Sequence, residues 1–176
     1  KKKDHILIID EVHPVLLELF SDYHVVYIPT IGLADLPQQL EKATILIVRS
    51  KLVVDKSWMM KAPNLRLIGR LGSGMDNIDL DYASLQGIEC LNAPEGNRNA
   101  VAEQTIGMML SMLSNVNKSS LQVRNGVWDR KGNQGEELIN KCVGIIGYGN
   151  VGSTLAAKLS SFGCRVVAYD RFISGF

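Results

Sequence analysis

The sequence predicts an α/β protein built on parallel sheets, with a domain boundary near its middle. Short runs rich in Ile and Val recur along the 176 residues, separated by segments of helix length. These runs are continuously apolar rather than alternating, which suits strands buried on both faces. A glycine-rich hexapeptide also joins one such run to a helical pattern, the arrangement that opens a βαβ unit.

The elements follow in order. Strands are expected at Ile6 to Ile9, Val25 to Tyr27, Ile45 to Val48, Leu65 to Ile68 and Ile88 to Leu91, and later at Cys142 to Ile146 and Arg165 to Tyr169. Asp79 is placed to cap a helix over Leu80 to Gln86, with Gly87 at its C′ position. Pro94-Glu95-Gly96-Asn97 reads as a loop and a domain boundary. Asn99 is then placed to cap a long helix reaching about Asn117. On it Ala102, Ile106, Met109, Leu113 and Val116 form one apolar stripe, which Val101, Met108 and Met112 widen, so burial on most sides is expected. Its methionines read as core or subunit interface. Residues 118–140 carry Gly126, Gly132 and Gly135 among mixed charges, and read as a short helix followed by an exposed loop.

Composition excludes several function classes. Lys and Arg number 19 against 18 Asp and Glu, a net charge of +1. A nucleic-acid binder working through a basic surface would have a pI above about 9; here it is about 7.9. The uncharged run Gln104 to Asn117 is 14 residues long, short of the roughly 20 needed to span a bilayer. The basic start Lys1-Lys2-Lys3 runs into Asp4 and a short apolar strand without the h-region of a signal peptide, so a cytoplasmic protein is expected. Cys90, Cys142 and Cys164 are odd in number and widely spaced, forming neither a disulfide framework nor a metal pair, and read as buried, inert thiols. His5, His13 and His24 lack ligand spacing and read as structural or solvated.

Gly147-Tyr148-Gly149-Asn150-Val151-Gly152 matches G-x-G-x-x-G. The bare pattern is weak, but its context is complete. A buried strand runs into it, and a helix with Val151, Leu155, Leu159 and Phe162 on one face leaves it, with Gly163 placed to end that helix. A second strand then ends in Asp170, 18 residues past the last glycine, close to the ~20 of dinucleotide-binding folds. Gly147 permits the tight turn, Gly149 lets a pyrophosphate approach, and Gly152 allows close helix–strand packing. Tyr148, Asn150 and Val151 complete the turn and helix start, offering backbone contacts. The helix N-terminus turns N–H groups toward phosphates. Asp170 is placed to accept hydrogen bonds from ribose hydroxyls, which favours NAD over its 2′-phosphorylated form. The alternative is an ordinary βαβ unit with a glycine-rich turn. Lys141 to Phe176 suffices for only one βαβ unit, whereas a dinucleotide sheet has two such halves, so only the start of that domain is expected here.

Upstream, Ile68-Gly69-Arg70-Leu71-Gly72-Ser73-Gly74-Met75-Asp76-Asn77-Ile78-Asp79 carries a strand into a Gly-Ser-Gly turn, whose N–H groups can form a nest for a carboxylate. Arg49-Ser50 ends another buried strand, where open parallel sheets place ligands.

Together, Val48-Arg49-Ser50, Gly69 to Asp79, Asn92-Ala93-Pro94, Asn97 to Glu103, Arg124-x-Gly126-x-Trp128 and Glu137 to Asp170 resemble the D-isomer-specific 2-hydroxyacid dehydrogenases, in the branch of phosphoglycerate dehydrogenase. The resemblance implies a flavodoxin-like substrate domain over residues 1–97. Residues 98–176 would supply an interdomain helix and the first half of a Rossmann NAD-binding domain. It also implies that the amides of Gly72, Ser73 and Gly74 hold the substrate carboxylate, that Arg49, Ser50 and Asn97 bind the substrate, and that Ser73 also touches the cofactor. Dimerisation through the nucleotide domain is usual in the family. The family's catalytic Arg and its His–Glu acid/base pair lie past the second nucleotide strand, so no catalytic residue is expected in this chain. Arg98, Asn99 and Cys142 depart from the usual residues and blur the substrate. The resemblance favours an NAD-dependent oxidoreductase acting on 3-phosphoglycerate in serine biosynthesis. A glyoxylate or hydroxypyruvate reductase, or a non-enzymatic NAD-sensing binding protein resembling the family's corepressors, are the alternatives.

Overall fold

A computed structural model describes residues 4–30 and 36–175; the basic start Lys1 to Lys3 lies outside the described residues. The chain divides into two compact units, Lys1–Pro94 and Glu95–Phe176.

The first unit is one parallel sheet. Its strands are β1 (His5–Ile9), β2 (His24–Ile28), β3 (Ile45–Val48), β4 (Leu67–Arg70) and β5 (Glu89–Asn92), in spatial order β2-β1-β3-β4-β5. That is the flavodoxin-like doubly wound order, with its switch point between β1 and β3. Helices α1 (Pro14–Leu19), α2 (Leu36–Lys42), α3 (Lys56–Met59) and α4 (Leu80–Leu85) connect the strands. In the central strands β1 and β3 the unbroken apolarity is explained by burial on both faces, whereas the edge strands β2 and β5 are partly exposed. Leu7 and Ile9 enter one core with Leu46, Val48, Ile68 and Leu40, while Ile6, Ile8 and Ile47 pack on the other side against Leu16, Leu17 and Phe20. Each such side chain contributes about 1.5–3 kcal/mol. Register sets the functional edge, since Val48 pairs with Arg70 and Arg70 with Asn92. The C-terminal ends of β3, β4 and β5 are therefore level.

Local signals explain the helix ends. Asp79 accepts the Tyr82 N–H at 3.0 Å and starts α4, and Gly87 follows its end at φ +70. His13 caps α1 by accepting the Val15 N–H at 3.3 Å, with Pro14 in the first turn. The His5 and His24 rings pack 4.5 Å apart. His13 thus serves as a cap, while His24 is exposed at the start of β2.

The second unit contains α5 (Arg98–Leu113), α6 (Val116–Arg124), β6 (Cys142–Ile146), α7 (Asn150–Leu159), a 3₁₀ turn over Ser160–Phe162, and β7 (Arg165–Tyr169), which pairs parallel with β6. Ala102, Leu138, Ile145, Leu155 and Leu159 form its core, with Ile106, Met109, Leu110 and Leu113 packed around them. Gly163, at φ +65, ends the α7 segment as its sequence suggests.

Three expectations are corrected here. The long helix starts with Asn97 rather than Asn99 as N-cap and stops at Leu113, because Asn115 adopts φ +53 and a separate helix begins at Val116. It is not buried on most sides: Met108 and Met112 are 66% and 73% exposed, since the packed stripe occupies one face only. Cys90 and Cys164 are partly buried, but Cys142, the first residue of β6, is exposed. No helix among the described residues is long and apolar enough to cross a membrane.

Candidate functional site

In the second unit the six-residue turn links β6 to α7. Gly147 takes φ +94, a region that strains residues with a Cβ, and donates its N–H to the Tyr169 carbonyl at 2.7 Å. A Cβ on Gly152 would lie 2.0 Å from the Gly147 carbonyl oxygen, so only glycine permits this approach of helix to turn. A Cβ on Gly149 would meet nothing within 4 Å. Gly149 is the N-cap of α7 and caps it with no side chain, so the first-turn N–H groups of Asn150, Val151 and Gly152 lack a side-chain acceptor. This is the arrangement that draws phosphate oxygens.

Asp170, directly after β7, lies against this turn. Its Oδ2 accepts the Tyr148 N–H at 2.7 Å, and its Oδ1 accepts the N–H groups of Phe172 and Ile173 at 2.8 and 2.9 Å. The Phe172 bond first, then those of Tyr148 and Ile173, holds its carboxyl below the usual carboxylate range. An ionised carboxylate offers about four acceptor positions. Three are engaged here, so a ribose hydroxyl would find roughly one open. The sequence places Asp170 near the glycine-rich turn but does not reveal that it also braces that turn.

In the first unit, candidate substrate residues gather at the C-terminal ends of β3 and β4. Arg49 is exposed and donates from Nη1 to the Glu11 carbonyl at 3.3 Å. Asn77, buried, holds the loop that carries Arg49 and Ser50, donating to the Arg49 and Leu52 carbonyls at 2.8 and 2.7 Å. Gly72 sits at φ +153, in the left-handed region that favours glycine.

The expected three-amide nest is corrected in one respect. The Gly72 N–H is bonded to the Arg70 carbonyl at 2.9 Å, a tight i→i+2 turn. The N–H groups of Ser73 and Gly74 make no hydrogen bond with the described residues. Their direction follows from peptide planarity. The Gly72 carbonyl accepts the Ala93 N–H at 3.0 Å and the Ser73 carbonyl accepts Asn92 Nδ2 at 2.7 Å. Each trans peptide therefore turns its N–H away from the end of β5. Two successive amides point the same way, enough to cradle one carboxylate. Asn97, at the N-cap of α5 in the second unit, makes no capping bond with its side chain.

Sequence reasoning missed Asp10. It directly follows β1 at φ +100 and is only 3% exposed, with Oδ1 accepting the Glu11 N–H at 2.8 Å and lying 3.4 Å from Lys51 Nζ. Its Oδ2 is buried without a hydrogen-bond partner among the described residues. A charged residue directly after a fully buried strand, at the sheet's switch point, was the available signal.

Comparison with known proteins bears on both units. The family profile described as "D-isomer specific 2-hydroxyacid dehydrogenase, catalytic domain" matches residues 6–175. D-3-phosphoglycerate dehydrogenase of Methanocaldococcus jannaschii is 35% identical over 170 residues, covering 96% of this chain and 32% of that protein. Hydroxypyruvate reductase of Thermotoga maritima is 35% identical over 136 residues, covering 77% of this chain and 44% of that protein. The crystal structure of D-lactate dehydrogenase from Aquifex aeolicus complexed with NAD and lactic acid superposes with a TM-score of 0.86 at 26% identity, over 96% of this chain and 52% of that one. The chain thus spans about a third of the length of the phosphoglycerate dehydrogenase that it matches.

Proposed function

Because this chain belongs to the D-isomer specific 2-hydroxyacid dehydrogenase family, we propose that it supplies the substrate-binding unit and the first half of the NAD-binding unit of an oxidoreductase acting on a D-2-hydroxyacid, with 3-phosphoglycerate favoured. Residues 1–97 would form most of the substrate domain, and 98–176 the interdomain helix and the start of the nucleotide domain. The complete protein would be a cytoplasmic homodimer serving serine biosynthesis.

The observation that carries this proposal is the pairing of an uncapped helix start with a carboxylate beside the same turn. Residues present fit a dinucleotide. Gly149 leaves room for a pyrophosphate, the Asn150, Val151 and Gly152 amides at the helix start have no side-chain acceptor, and Asp170 has acceptor capacity for a ribose hydroxyl. NAD, when bound, supplies the hydride acceptor. This chain's own residues bind and orient. The Ser73 and Gly74 amides hold the substrate carboxylate, Ser73 also borders the cofactor, Arg49 and Ser50 take the distal anionic group, and Asn97 adds a polar contact. Hydride transfer needs a proton relay with a pKa near neutrality beside the reacting carbon, and no residue of this chain is assigned that work. The verified 176-residue chain should therefore leave NADH absorbance at background with phosphohydroxypyruvate, hydroxypyruvate and glyoxylate. Turnover by it would show that the catalytic residues have been misplaced.

A second reading is favoured by the 35% identity to a hydroxypyruvate reductase, which would use the same chemistry without the phosphoryl group. Comparing kcat/KM of the complete protein on phosphorylated and unphosphorylated substrates separates the two. An NAD-sensing binding protein would bind NADH and turn over neither.

A further inference from the structure

Arg70, the last residue of β4, occupies the Gly-Ser-Gly turn. A Cβ built on Gly72 would lie 1.8 Å from Arg70 Nη1 and 2.9 Å from its Cζ, and one built on Gly74 would lie 3.9 Å from Nη2. The guanidinium thus lies along both glycines, in space that any larger residue at position 72 would fill. It makes no hydrogen bond or ion pair with the described residues, and its Nε is buried without a partner. Asp76, the carboxylate nearest to Gly74, forms no ion pair with it. A guanidinium carries five donors in a planar fork matched to oxyanions. Here that fork lies beside the two amides, of Ser73 and Gly74, whose N–H groups are turned to one side with nothing to bind.

We propose that Arg70 is the side-chain anion receptor of this turn, closing on a carboxylate or phosphoryl group presented to the Ser73 and Gly74 amides. The assignment rests on the dehydrogenase reading for the identity of the substrate, but not for the existence of the anion site. It also gives a second reason for glycine at position 72, since the receptor and a side chain there would exclude each other. Arg49 differs in that one of its donors is already engaged by the Glu11 carbonyl.

The test uses the complete protein. Calorimetric titration with inorganic phosphate, and steady-state kinetics with hydroxypyruvate and phosphohydroxypyruvate, are compared for wild type, Arg70→Gln and Arg70→Lys. Arg70→Gln is expected to weaken phosphate binding and raise KM by about tenfold or more, with a smaller change in kcat. Arg70→Lys should recover part of the loss, and NADH affinity should stay within about twofold of wild type, since only the oxyanion contact is removed. A KM effect on both substrates places the carboxylate at Arg70, and an effect on the phosphorylated one alone places the phosphoryl group there. Unchanged phosphate affinity and KM in Arg70→Gln would overturn the proposal. Should that variant fail to fold, a crystal structure of the wild-type protein soaked with phosphohydroxypyruvate decides. Guanidinium nitrogens within about 3.2 Å of a substrate oxyanion support the assignment, and a guanidinium without that contact overturns it. If the complete protein turns over no 2-hydroxyacid while Arg70→Gln still loses phosphate binding, the dehydrogenase reading fails and the anion site stands.

Discussion

Gly149→Ala separates a nucleotide turn from an ordinary glycine-rich one. Gly149 has φ −75 and ψ −154, a conformation open to any L-residue, and a Cβ there meets nothing within 4 Å. The folded protein should therefore accept alanine. Alanine is the poorer N-cap by up to about 1 kcal/mol, while the lost freedom of the unfolded chain returns about 0.4–1 kcal/mol. The net stability change is expected within about 1 kcal/mol of zero. Binding should behave differently, because the added methyl occupies the space through which a pyrophosphate meets the backbone. Steric overfilling of a close contact costs about 1–3 kcal/mol, which is about 5- to 150-fold in dissociation constant. Fluorescence titration with NADH, set beside urea unfolding of the same preparations, reads both quantities. Gly152→Ala is the contrasting control, since its Cβ would sit 2.0 Å from the Gly147 carbonyl oxygen and should reduce stability as well as binding. NADH affinity unchanged in a folded Gly149→Ala protein would refute the pyrophosphate assignment and return the segment to a plain βαβ turn.

Three further outcomes are expected. Asp170, held ionised by its N–H bonds to Phe172, Tyr148 and Ile173, would face the 2′-phosphate of NADP with like charge, so the complete protein should prefer NADH; Asp170→Ala should narrow the kcat/KM ratio by about tenfold, and a wild type equally efficient with NADPH would contradict this. Arg49→Ala should raise KM for the anionic substrate by about tenfold while changing kcat little, because a contact remote from the hydride is mostly uniform binding; a normal KM would leave Arg49 a solvated charge. Burial, and then the neighbouring His24, holds His5 below the ordinary histidine value of 6.5. The unfolded chain therefore takes up a proton near that value while the folded chain resists it, so this contribution to stability is complete above 6.5 and declines as pH falls below it until the folded group also protonates. Urea midpoints measured from about pH 8 down to about pH 5 should show a shallower decline in His5→Gln, and identical slopes would remove His5 as the cause.

The central strands β1, β3 and β4 were legible because burial on both faces leaves them almost wholly apolar. Strands β2, β5, β6 and β7 were legible because their Val, Ile, Leu and Tyr content marks them even where positions such as Glu89, Ile146 and Tyr169 are exposed. All seven apolar runs became strands, with ends shifted by a residue or two, as at Leu65, which is a buried loop residue before β4. The helix over Arg98–Leu113 was legible as a stripe but not as a length. Its apolar period continues to Val116, and the stop comes from the left-handed Asn115, a conformation that composition does not announce. Burial of Met108 and Met112 was overestimated for a related reason, because an apolar residue records what could cover it, not what does. At the sites, glycines at positive φ were readable from type and spacing. The engagement of the Gly72 N–H by Arg70, the bracing of the turn by Asp170 and the buried Asp10 were not, since each depends on where neighbouring strands end.

Helix starts differ between the two units in a way that fits the proposed sites. In the first unit His13, Asp55 and Asp79 each place a side-chain acceptor on the first turn of α1, α3 and α4, a contact usually worth about 1 kcal/mol. In the second unit α5, α6 and α7 all begin without one. For α6 the omission has a structural use, because the Asn115 amide reaches the Gln134 carbonyl at 3.3 Å and ties the following loop to the helix. Neither of the other two has such a use. Gly149 has no side chain to offer. Asn97 is among the best N-cap residues by type, yet its amide makes no hydrogen bond with the described residues. Helix stability is thus left unclaimed at the two helix starts proposed to meet cofactor phosphates and substrate, and at α6, where no ligand is proposed, the idle cap has another occupation. A scaffold selected for stability alone would cap α5 with the asparagine it already has.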